Sequence, residues 1–149
     1  MLRPGCILLT AWTALNLIPS AVILIHTILG GGHTLALYAL LTEEDVGALS
    51  PEVLATVDSI AVFANGTNLA FCAVSLFVIW RGLYRRKVWA FPALSAGFTL
   101  ALLAGVGGDY EVGFAAPMVN VISAAMLALG LSLSAAGMFR HGASADPGG

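Results

Sequence analysis

Apolar residues run through this chain in long unbroken blocks, without the alternation of a strand or the single stripe of a water-facing helix. Four windows, approximately 5–29, 57–80, 88–107 and 114–139, are each long enough to cross a hydrocarbon core, which takes roughly 20 helical residues. In lipid every backbone N–H and C=O must find its partner within the segment or within a closed barrel. Because strict alternation is missing, the windows are expected to be helices. The predicted fold is an all-α, polytopic integral membrane protein, a four-transmembrane-helix bundle within residues 1–141, with a disordered tail over 142–149.

Between the first two windows, residues 30–56 are too long and too patterned for a bare turn. Gly30, Gly31 and Gly32 are expected to stop the first helix, and His33 to Leu41 is apolar but too short to span. Thr42 and Asp45 resemble a capping box for a short helix. Ser50, Pro51 and Glu52 then supply an N-cap, a first-position proline and a first-turn acid, so the second helix should begin at Pro51, before the membrane. The second outer loop is expected at Gly107-Gly108-Asp109-Tyr110-Glu111, and Pro117 suits the first turn of the fourth helix.

Composition agrees with this reading: 59% of residues are hydrophobic, 9% are charged, and the mean hydropathy is +0.95. Placing the charges says more than their sum. Arg3, Arg81, Arg85, Arg86, Lys87 and Arg140 all fall at one kind of boundary, whereas Glu43, Glu44, Asp45, Glu52, Asp58, Asp109 and Glu111 fall at the other. The positive-inside rule therefore puts both termini and the basic link in the cytoplasm of a multi-pass cell-membrane protein. The first window is too long for a signal-peptide core and no A-x-A site closes it, so it is expected to stay as a span. Trp12, Trp80 and Trp89 are read as headgroup-level anchors at the cytoplasmic side.

Two faces carry the candidate functional residues. On the third helix Ala93, Gly97, Ala101 and Gly105 recur every four residues, which predicts close packing by another helix. On the second, Asp58, Ala61, Asn65, Asn68, Cys72 and Ser75 form a polar or small stripe too costly to face lipid tails. Asn16, Ser20 and His26 of the first helix, Ser95 and Thr99 of the third, and Asn120 and Ser123 of the fourth can answer it. The result is a polar seam. Either its amides are interhelical glue, with Asn16 and Asn68 meeting, or Asn16, His26, Asp58, Asn65, Asn68 and Asn120 line a ligand site.

The seam favours a non-enzymatic protein that binds or passes a small neutral or lipophilic molecule, as a homo-oligomer or beside another membrane subunit. A membrane enzyme with His26 and Asp58 as acid and base is the alternative, and a structural subunit of a larger complex is a third reading. No cofactor or metal is expected, since His26, His33 and the outer acids match no standard ligand spacing. Cys6 and Cys72 form no CxxC. The absence of charge deep within any span argues against a buried-carboxylate ion relay. Asn65-Gly66-Thr67 fits the glycosylation pattern but lies inside a span. Arg85, Arg86 and Lys87 suit anionic headgroups, and so small a basic cluster gives no support for nucleic-acid binding.

Overall fold

The computed structural model describes residues 1–31, 47–111 and 117–139. Among them every element is helical: α1 Leu2–His26, α2 Pro51–Phe77, α3 Ala90–Glu111 and α4 Pro117–Phe139. Four segments, Leu2–Gly30, Pro51–Leu83, Ala90–Gly107 and Met118–Phe139, are long and apolar enough to cross a membrane. The chain is thus an all-helical, multi-pass membrane protein. The expected short helices of the first outer loop, with His33 and the Thr42–Asp45 box, lie largely outside the described residues, as does the tail.

Helix ends follow the local chemistry. A π-helical turn over Thr27–Gly31 closes α1, and Gly30 takes φ 95°, a left-handed value that suits a residue without Cβ. Ser50 caps α2: its Oγ accepts the Val53 N–H at 3.3 Å, and the Leu54 N–H reaches the Ser50 carbonyl at 3.1 Å. Helix therefore begins at Pro51, as the sequence indicates.

α3 departs from expectation, because its helix continues through the Gly107–Glu111 stretch read as a loop. Two glycines cost a helix about 1 kcal/mol each, less than leaving several backbone groups without partners near lipid.

Between α2 and α3 the chain reverses after a π-helical turn over Val78–Leu83. The Lys87 N–H bonds the Gly82 carbonyl at 3.0 Å and the Arg86 N–H bonds the Leu83 carbonyl at 2.9 Å. Those two bonds define a Schellman ending with Arg86 at its left-handed position, φ 57°. An arginine there carries a backbone cost of roughly 1–2 kcal/mol that glycine would avoid.

The helices gather into two units, Met1–Thr13 with the chain from Val74 onward, and Ala14–Ala73. The first gathers segments of all four helices. Leu9, Ile79, Leu83 and Phe98 are fully buried there, and Trp12 is 4% exposed. Glycines bring α1 onto α4: a Cβ on Gly5 would meet the Ser134 backbone N at 2.7 Å and the Gly130 carbonyl at 2.9 Å, and one on Gly130 would meet Leu9 Cδ2 at 2.8 Å. Gly137 faces Leu2 in the same way. Close backbone approach of this kind is how small residues join helices in lipid. The expected groove on α3 has no such neighbour at Gly105, where a Cβ would meet nothing within 4 Å.

Trp12 also departs from expectation, for it is a buried core residue. Its Nε1 donates to Ser123 Oγ at 2.6 Å, and its ring meets Phe98 edge to face at 5.0 Å. With a partner for its N–H, the large indole packs against its neighbours. Trp80 and Trp89, 41% and 56% exposed, suit the headgroup role.

Candidate functional site

The polar residues of the Ala14–Ala73 unit centre on Asn68. Its Nδ2 donates to Ser20 Oγ at 2.8 Å and, more weakly, to the Asn16 carbonyl at 3.5 Å. Cys72 Sγ, one turn further along α2, lies 3.9 Å from Asn68 Oδ1 as its donor. Asn68 therefore ties α2 to α1, with Ser20 and Cys72 buried beside it. Pro19, inside α1, has no N–H for the Leu15 carbonyl and loosens the helical ladder in the turn where Asn16 accepts its extra bond.

Much of the remaining polarity is satisfied within its own helix. Asn65 Nδ2 donates to the Ala61 carbonyl at 2.8 Å, Ser59 Oγ to Ala55 at 2.9 Å, Thr56 to Glu52 at 2.8 Å and Thr27 to Ile23 at 2.8 Å. Bonding the carbonyl one turn back lets a polar side chain sit in an apolar helix without a second helix to answer it. The stripe on α2 thus has two parts: Asn68 reaches across to α1, while Asn65 turns back on itself and keeps its Oδ1 as an acceptor.

His26 and Asp58, at the far end of these helices from Cys72, are both half-buried. The His26 Nδ1 is enclosed and has no hydrogen-bond partner among the described residues. Such an atom costs about 1–3 kcal/mol unless something satisfies it. Asn120 belongs to the other unit, half-buried on α4 one turn before Ser123. Asn16 and Asn68 are brought together, and the role of Ser123 as the acceptor for Trp12 is one that sequence reasoning missed. Its signal was present in a hydroxyl and an indole on separate apolar helices, but nothing in the sequence pairs them. Among the described residues no group of three or more His, Cys, Asp and Glu gathers as metal ligands would.

The chain matches no protein-family model, and no curated protein or solved structure matches it either. The fold and the disposition of these side chains therefore carry the functional argument alone.

Proposed function

We propose that this protein is a small non-enzymatic component of the cell membrane that binds or passes a small neutral or lipophilic molecule along the α1–α2 seam. Its termini and basic link face the cytoplasm, by the segregation of Arg and Lys to one set of helix ends. The ligand sits beyond Asn68, toward His26, Asp58 and Asn65, whereas Asn68 holds the helices together.

One observation carries this reading: the enclosed Nδ1 of His26 lacks a partner among the described residues, on a unit rich in polar groups. A hydroxyl, carbonyl or amide on an otherwise apolar molecule would supply that partner, with Asn65 Oδ1 as a further acceptor. Native mass spectrometry of protein released from gentle detergent tests it. A retained non-lipid small molecule that is lost from a folded His26→Leu variant supports the site, and a wild-type protein that emerges empty contradicts it.

A second reading has its own observation. The Ala93–Gly105 face of α3 ends at Gly105, where an added Cβ would meet nothing within 4 Å, leaving room for a second copy or another membrane protein to pack there. Copy number and co-purifying chains in the same spectrum distinguish this role.

A further inference from the structure

The unit containing Met1–Thr13 carries a cleft of about 560 Å³ lined by Leu2, Arg3, Tyr84, Arg86 and Gly137 among others. That volume lies in the range of small-molecule sites, roughly 300–1,000 Å³. Two arginines are among its lining residues, Arg3 at the start of α1 and Arg86 in the α2–α3 hairpin, and both are exposed. No carboxylate is among its lining residues. Arg3 Nε donates to the Tyr84 hydroxyl at 3.3 Å, and the Tyr84 ring lies against Trp80 at 5.4 Å. The first arginine is thereby steadied, and the tyrosine keeps its own O–H to donate.

Arg86 points to the same place through its backbone. It holds the left-handed Schellman position, where glycine would fold without strain. A strained residue kept where a cheaper one would serve is a reason to look for function, and here it puts a second cation beside Arg3 on the cleft wall. Trp80 and Trp89 are exposed on either side of the hairpin in sequence, as side chains at headgroup depth are.

We propose that this cleft binds the phosphate of an anionic membrane lipid, with Arg3 and Arg86 as a two-cation clamp and the Tyr84 hydroxyl as a third donor. Planar guanidinium groups match phosphate oxygens bidentately. Soluble phosphate has the same chemistry, but a lipid phosphate is already concentrated at the depth where a membrane-spanning chain would hold this cleft. The proposal rests on the membrane reading of the helices and not on the seam or its ligand.

Purified protein in nanodiscs or mixed micelles is titrated with phosphatidylglycerol against a phosphatidylcholine background, and bound lipid is counted by native mass spectrometry. Wild type is expected to retain phosphatidylglycerol preferentially. Arg86→Gly and Arg3→Gln should each weaken that preference roughly tenfold, about 1.4 kcal/mol, as loss of a direct charge-assisted hydrogen bond to phosphate would. Arg85→Gln, which removes a neighbouring charge outside the cleft, should leave it nearly unchanged. Arg86→Gly also relieves the left-handed backbone, so it should fold at least as stably as wild type, and loss of lipid cannot then be ascribed to misfolding. Equal loss in Arg85→Gln would mean diffuse attraction to a charged surface and would overturn the proposal. So would an unchanged preference in Arg86→Gly, or displacement of the lipid by millimolar inorganic phosphate.

Discussion

The two units of this chain are built from the same kinds of apolar helix, yet different things hold them. In the unit containing Met1–Thr13, the buried residues include large apolar side chains, Leu9, Ile79, Leu83 and Phe98 with Trp12 against Phe98, set among small ones such as Gly5, Cys6, Gly130 and Ser134. Glycines at 5, 130 and 137 let α1 and α4 approach until a methyl group would collide with backbone or side chain. In the Ala14–Ala73 unit the buried residues, among those described, are Ser20, Thr27 and Cys72, all small. Many of its large side chains, Ile18, Val22, Ile25, Leu29, Ile60 and Phe63 among them, are exposed, Leu29 to 80% and Phe63 to 76%, as are many on the outer faces of the first unit, and others such as Leu17 and Phe71 are half-buried. In water such exposure would be costly, whereas lipid tails solvate it. Association in a membrane is left to close packing and hydrogen bonds. One unit is held by shape and the other by a few polar bonds.

Substitutions can break that contrast. Phe98→Ala removes the largest fully buried side chain among the described residues and should cost about 3 kcal/mol, read as a lowered unfolding midpoint in a denaturing-detergent titration. Gly5→Ala puts a methyl against the α4 backbone and should cost about 2 kcal/mol on the same scale. Arg86→Gly should raise the midpoint by about 1 kcal/mol, by relieving the left-handed arginine. Asn68→Leu severs the α1–α2 link and should cost only about 0.6 kcal/mol, the average worth of an interhelical hydrogen bond in lipid. Phe63→Ala, on the exposed side of α2, should change the midpoint by less than about 0.5 kcal/mol. A large loss at Phe63 would show that the Ala14–Ala73 unit is held by contacts with partners outside this chain.

Much of the secondary structure is legible in the sequence, because in lipid the backbone has one economical solution and the blocks are long enough to use it. Ser50-Pro51-Glu52 marks the start of α2, and the glycines after Leu29 mark the end of α1, for local reasons that need no tertiary knowledge. The extension of α3 through Gly107-Gly108 is less legible, since glycine preferences measured in water mislead where an unsatisfied backbone costs more. Packing partners are the least legible part. The four-residue spacing on α3 resembles that of α4, yet Gly130, Ser134 and Gly137 are the ones that meet α1. Periodicity identifies a smooth face and does not say what covers it. Trp12 failed as an interface anchor for a related reason: an indole far along α1 is stable once Ser123 accepts its N–H, and that pairing joins positions 111 residues apart.

Two native thiols report on the contrast directly, since Cys6 lies in the closely packed unit, Cys72 in the other, and both are fully buried. Maleimide labelling is followed in Cys72→Ser, which leaves Cys6, and in Cys6→Ser, which leaves Cys72, each rate being normalised to that thiol in the unfolded chain. Local opening is easiest where buried apolar contacts are fewest, so Cys72 should label about tenfold faster than Cys6, a difference of roughly 1.4 kcal/mol in opening. Adding Asn68→Leu should accelerate Cys72 further and leave Cys6 unchanged. Labelling of Cys6 as fast as Cys72, or acceleration of both by Asn68→Leu, would contradict the division into a unit held by shape and a unit held by hydrogen bonds.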